Sequence, residues 1–233
     1  MRIIVPIAGP GYFSEKGIRG LLETSDGPLL KNVLKSRPWF KTSNYEDYIF
    51  IMNANEHALS FFHHHIQEWF PKSKAVFLSD FTRGAALSVL TGIGYCIEEK
   101  ETPFLIDLAD IKFKVLNQDY KNLFKDIRVD AYMYTFKSNI ESYSYAKVNN
   151  KNIVSEIAEK KVISSNAITG VYVFRSPSIF LESIKVASKY FEKLTYKKLL
   201  YISPILNTLI KKKKQIKIIN TILEEDFSTK FHY

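Results

Sequence analysis

Four short apolar runs recur through the first half of the chain, at residues 3–8, 48–52, 74–78 and 103–110, and the stretches between them carry helical periodicity. Pro28 opens one such helix, with Asp26 as its expected cap. Leu59, Phe62, Ile66 and Trp69 mark the apolar face of a second, which Pro71 ends, and a third is expected over residues 84–99. Strands that alternate with helices are joined by crossovers, so they run parallel and are buried on both faces. The alternation therefore predicts a mostly parallel sheet with helices on its faces. No internal repeat points to a solenoid.

Beyond residue 110 the period shortens. Residues 131–136, 143–148, 153–156 and 168–174 read as strands, and Asn149, Asn150, Lys151 and Asn152 supply a hairpin turn. A small antiparallel lobe is the expected result. Helices over residues 178–190 and 198–212 follow, then a closing strand, 215–223, that would carry Asp226 back to the sheet. No linker-like segment interrupts the chain, and 233 residues with 46% hydrophobic content bury a core of one large domain, so residues 1–233 are expected to form a single unit.

Composition removes several classes of function. No apolar run reaches the ~18 residues of a membrane helix, and the N-terminus enters a strand pattern without a signal-peptide layout, which makes the cytoplasm the expected compartment. The lone cysteine, Cys96, lies in an apolar stretch and argues against a disulfide framework or thiolate metal cluster. His63, His64 and His65 are consecutive, so on a helix they point about 100° apart and cannot share one ion. From Lys185 onward, eleven lysines face four acidic residues, which accounts for +7 of the chain's net +9. Lys211 to Lys214 form a run at the end of an apolar helix, without the interleaved aromatics of a nucleic-acid groove, so a solvated surface is expected and no nucleic-acid partner.

The chemistry-bearing residues sit where the pattern breaks. Asp110 closes an apolar run at what would be the C-terminal end of a strand, the place where open α/β sheets put their ligands. Asp226 would be returned by the closing strand, and two carboxylates brought together suit one hard cation. After the first run, Ala8-Gly9-Pro10-Gly11 makes a turn whose exposed N–H groups suit a phosphate chain.

These pieces, in this order, resemble the nucleoside-triphosphate-dependent sugar-1-phosphate nucleotidyltransferases, whose glycosyltransferase-A-like fold implies a three-layer α/β sandwich. Residues 4–11 look like the family's strand and glycine loop, and Arg19 to Glu23 with Gly27 to Leu30 is similar to its Pro-Lys segment. Thr82-Arg83-Gly84-Ala85-Ala86 resembles the glycine turn against the nucleobase, and Leu105 to Asp110 the strand bearing the metal-binding aspartate. Glu159-Lys160 with Thr169-Gly170 to Phe174 is similar to the acceptor-binding pair and strand, and Asp226 to Thr229 to the turn with the second metal ligand.

The resemblance implies Mg²⁺ held by Asp110 and Asp226, an NTP on Ala8, Gly9, Gly11 and Gly84, and a phosphorylated small acceptor on Glu159, Lys160 and Gly170. Arg19 would stand where the family has its catalytic lysine, with Lys160 on the acceptor phosphate and Lys16 as a further cation. Residues 1–115 would then form the nucleotide-binding half and 116–233 the acceptor-binding half. The implied reaction transfers a nucleoside monophosphate and releases pyrophosphate, feeding surface polysaccharide assembly; a homo-oligomer is compatible with all of this.

Three departures stand out. Tyr12 and Phe13 follow the glycine loop where the family carries an arginine, Arg19-Gly20 replaces its Pro-Lys pair, and Ser228 replaces a glycine of the last turn. A catalytically silent nucleotide-binding relative is one alternative. A metal-dependent glycosyltransferase is another, less favoured because Asp107 and Asp110 are three positions apart rather than two.

Overall fold

The computed structural model describes residues 1–14, 17–99, 102–116 and 122–228. Strands β1 (Arg2–Pro6), β2 (Tyr48–Asn53), β3 (Lys74–Leu78) and β4 (Phe104–Asp107) run parallel in the spatial order β3-β2-β1-β4. Their residues alternate between two cores, as the period of a strand requires. Ile3, Val5, Phe50 and Met52 face one, and Ile4, Ile49, Ile51 and Ile106 face the other. Helices α1 (Leu29–Lys35) and α2 (Glu56–Phe61) cover the first face, and α3 (Ala85–Gly92) the second.

Beyond β4 the chain builds β5 (Ile111–Val115), β6 (Val129–Lys137), β7 (Tyr145–Val148), β8 (Val154–Ala158), β9 (Asn166–Phe174) and β10 (Gln215–Asp226). The sheet continues β4-β9-β6-β10-β5, with β9 and β5 opposite in direction to the rest of this row, and the β7–β8 hairpin attaches beside β9. Helices α4 (Pro177–Lys189) and α5 (Ile202–Lys211) join α3 on the second face through Phe180, Ile184, Ile205 and Leu209. The result is the expected three-layer sandwich, a mostly parallel central sheet with a small antiparallel appendage.

Local differences from the sequence reading have identifiable causes. Asp26 does not cap α1; its carboxylate instead takes Lys112 Nζ at 2.6 Å, and α1 starts directly after Pro28. A π turn over Phe62–Ile66 continues α2 and shifts its buried face, leaving Leu59 40% exposed while Phe61 and Phe62 are buried. The last helix begins at Ile202 rather than 198, because Leu200 is held by the segment preceding α3: its N–H donates to Arg83 O at 2.7 Å and its carbonyl accepts Ala86 N–H at 3.1 Å. Strand β5, absent from the sequence reading, is an edge strand. Cys96 is buried. No helix among the described residues is long and apolar enough to cross a membrane.

Candidate active site

At the end of β4 the backbone turns sharply. Ala109 adopts φ +55°, a left-handed conformation unfavourable for a residue with a Cβ, and its N–H donates to Asp107 Oδ1 at 2.9 Å. Asp107 and Arg37 form a fully buried, two-pronged ion pair, with Nε and Nη2 donating to the carboxylate at 2.7 and 2.8 Å. Arg37 Nη1 also donates to Ile111 O at 2.8 Å. Asp110 lies between these two anchored residues and is half-buried.

The second carboxylate arrives on β10. Asp226 pairs with Ile111 in the β5–β10 register, and Phe227 N–H donates to Asp110 O at 2.9 Å, so the two aspartates belong to hydrogen-bonded neighbouring segments. Asp226 is oriented by Tyr143 OH on Oδ2, 2.5 Å, and by Ser228 N–H and Oγ–H on Oδ1, 2.7 and 2.6 Å. Arg19 donates to Phe227 O at 2.8 Å and ties this turn to the glycine-loop side of the molecule.

Burial raises the Asp110 carboxyl to about 6; Arg19 opposes the rise, while Asp226 and Asp107 add to it. Two carboxylates that disfavour each other's charge, both oxygen donors, suit a divalent cation such as Mg²⁺. Among the described residues there is no group of three or more His, Cys, Asp or Glu that could hold a metal, so the remaining ligands of such an ion would come from substrate and water. Burial also pushes the Tyr143 phenol up, reinforced by its hydrogen bond to Asp226, which keeps it a proton donor.

Two hollows meet at Asp110. One, of about 200 Å³, is lined by Gly9, Gly11, Tyr12, Arg19, Leu108 and Asp110. Ala8 lies behind it, its carbonyl accepting Asn53 Nδ2–H at 3.0 Å. Tyr12 carries a phenol pushed up by burial, against the pull of Arg19, and its buried hydroxyl has no hydrogen-bond partner among the described residues. The other hollow, of about 120 Å³, includes Asp110, Tyr143, Glu159, Lys160, Gly170 and Tyr172 in its lining. Glu159 accepts hydrogen bonds from Ser144, at 2.5 Å, and from Ser203. Lys160, at φ +54°, is exposed and donates from Nζ to Ser142 O.

The structure thus gathers Gly9, Gly11, Arg19, Asp110, Asp226, Glu159, Lys160 and Gly170 around one centre. Gly84 stands apart. It precedes α3 with φ +114°, and a Cβ there would meet the Leu200 backbone at 2.4 Å; Ala85 rather than Gly84 borders the acceptor-side hollow. Lys16 lies outside the described residues. Sequence reasoning assigned no role to Arg37 or Tyr143, weighed Asp107 only as a glycosyltransferase carboxylate and noted Ser228 only as a departure from the family's glycine. The run Ile111-Lys112-Phe113-Lys114-Val115 alternates as an edge strand should, and that signal could have placed the backbone of Asp226 beside that of Asp110.

The fold is that of the nucleotide-sugar pyrophosphorylases and sugar-1-phosphate nucleotidyltransferases. A nucleoside-diphosphate-sugar pyrophosphorylase from Vibrio cholerae superposes with a TM-score of 0.76 at 21% identity, over 95% of this chain and 92% of that one. A putative glucose-1-phosphate thymidylyltransferase from Bacillus anthracis, in complex with a sucrose, gives 0.71 at 17% identity, over 96% and 87% of the two chains. The inositol-1-phosphate CTP transferase from T. maritima gives 0.68 at 14% identity, over 99% and 91%. No protein-family model and no curated protein matches the sequence.

Proposed function

We propose that this chain is an enzyme that transfers a nucleoside monophosphate from an NTP to a small phosphorylated acceptor, a sugar 1-phosphate or a similar polyol phosphate, and releases pyrophosphate. The observation that carries this reading is the position of Asp110, which lines both hollows while its backbone is bonded to the turn bearing Asp226. A reaction that joins two phosphate-bearing substrates needs a charge-compensating group where they meet.

An acceptor phosphate oxygen attacks the α-phosphorus in line; the new O–P bond forms as the bond to the β-phosphate oxygen breaks, and pyrophosphate leaves with the electron pair. An ionised phosphate needs no general base. Both reactants are anions, so the work is positioning and charge stabilisation. Mg²⁺, held by Asp110 and Asp226, would neutralise phosphate charge. Arg19, anchored on Phe227 O, adds a fixed positive charge on the nucleotide side, and the backbone N–H groups of residues 9–11 receive the phosphate chain. Lys160 would release Ser142 O and pair with the acceptor phosphate. Glu159, fixed by two serine hydroxyls, accepts from acceptor hydroxyls.

Residues 1–115 thus form the nucleotide half and 116–233 the acceptor half of one domain. A role in the cytoplasm, supplying activated sugars for surface polysaccharide, fits this chemistry. The reading is tested by pyrophosphate release across the four NTPs against sugar and non-sugar phosphates, with Mg²⁺ present. Release confined to one NTP and one acceptor class is expected. An NTP that raises the thermal midpoint without release in any pairing would instead select the silent nucleotide-binding relative, which the neutral Tyr12 in the loop favours.

A further inference from the structure

Arg37 lies two residues past the end of α1, where an arginine would ordinarily reach solvent, yet its side chain and that of Asp107 are both 0% exposed. Carrying two charges into a core costs desolvation that their mutual attraction barely repays, and apolar replacement of such pairs often preserves stability. Stabilisation alone is therefore a poor account of the pair. Its bonds converge on a single five-residue turn. Arg37 grips Asp107 with two N–H groups and the Ile111 carbonyl with a third, and Asp107 holds Ala109 in its left-handed conformation. Phe113 covers the guanidinium, its ring centre 4.4 Å away. Asp110 is enclosed between the gripped positions.

We propose that the Arg37–Asp107 pair is a positioning device that fixes the backbone of residues 107–111, so that Asp110 presents its carboxylate to the divalent cation in one geometry. The proposal rests on the reading of Asp110 as a metal ligand. Arg37 and Asp107 are positioning residues and touch no reacting atom. A turn carrying a left-handed alanine, released from its clamp, would relax and swing the carboxylate out of register with Asp226. Such loosening costs metal affinity before it costs the fold.

The test is titration of the purified, metal-free protein with Mn²⁺ alone, following free Mn²⁺ by electron paramagnetic resonance. The double variant Arg37→Met/Asp107→Val removes both charges and keeps the combined volume to within about one methylene group. It is expected to fold with a thermal midpoint near that of the parent protein, and to bind Mn²⁺ about 10- to 100-fold more weakly. Saturating Mg²⁺ should restore its kcat, but not that of Asp110→Asn. Parental Mn²⁺ affinity in the folded double variant overturns the proposal. Should that variant fail to fold, Arg37→Lys decides, because an ammonium keeps the charge but cannot fork onto Asp107 and reach Ile111 together. About 10-fold weaker Mn²⁺ binding supports the device, and unchanged affinity overturns it. Asp110→Asn separates the two levels: if it binds Mn²⁺ as the parent protein does, the metal reading itself falls, whereas lost binding there with none lost in the double variant sinks only the positioning role.

Discussion

Gly84 and Gly170 have φ of +114° and +81°; a Cβ at Gly84 would collide with the Leu200 backbone at 2.4 Å, and one at Gly170 would crowd the Leu108 side chain at 3.1 Å. Gly9 and Gly11 have nothing among the described residues within 4 Å of a would-be Cβ. The first pair is demanded by the fold: Gly84 lets the segment before α3 pass against Leu200, and Gly170 receives Leu108 as the chain leaves β4 for Asp110. Among the described residues, no packing contact demands the second pair. Open backbone at Gly9 and Gly11 is what the proposed phosphate contact asks for. The same division runs through the polar residues, since Arg37 and Asp107 saturate one another inside the core, whereas Asp110, Arg19 and Lys160 border hollows.

Asp110→Asn gives the largest expected effect on the ligand side. Pyrophosphate release should fall at least about 10³-fold with circular dichroism unchanged, and retained turnover would move Asp110 to the other side of the division. On the fold side, Gly84→Ala should destabilise by about 3 kcal/mol in urea unfolding, from backbone overlap and strain together, and a neutral outcome would show that Leu200 can yield. Lys160→Ala is expected to lower kcat/KM for the acceptor about 10²-fold while NTP binding changes less than about twofold; equal loss of both would misplace the acceptor side. Gly9→Ala and Gly11→Ala should leave stability within about 0.5 kcal/mol and weaken NTP binding about 10-fold, read as a smaller thermal shift at fixed NTP.

The smallest effect is on pH dependence without divalent cation. The Asp110 carboxyl rises from 3.8 to about 6 on folding, so the folded state binds its proton more tightly than the unfolded chain. Its contribution to stability is full below about pH 4 and is lost as the pH climbs through about 6. Asp110→Asn should remove this slope and be more stable than the parent protein at pH 8, by on the order of 1 kcal/mol, since solvent reaches the half-buried side chain and screens part of the effect. Parallel stability curves for the two proteins would contradict that sign.

The parallel half of the sheet was legible in the sequence because strands buried on both faces read as uninterrupted apolar runs. Asp110 was singled out by its place at the end of such a run and by its order among the other motifs, since a lone carboxylate there is more often a cap or loop residue. Strand β5 escaped because Lys112 and Lys114 break its apolar character, and an edge strand is held by pairing that only the returning β10 supplies. Arg37 escaped for a different reason: composition and spacing mark an arginine as a surface residue, and only tertiary packing against Phe113 and Asp107 reverses that. The π turn that follows α2 left no trace in the apolar periodicity, so Leu59 was assigned to the wrong face. Tyr143 looked like one more core aromatic, since a hydroxyl reaching Asp226 depends on how the β7–β8 hairpin docks against β9.

Strand β10 pairs along its first half with β6 and along its second with β5, and only its final residues bring Asp226 level with Ile111. The loop closed by that contact spans over a hundred residues, among the most entropically costly closures in the chain. The carboxylate pair is therefore expected to assemble late in folding, after the parallel half has formed its cores. Cation uptake followed in real time during refolding would lag behind the burial of Trp69, which packs on Phe61 in the parallel half, and would act as a clock for the docking of the last strand.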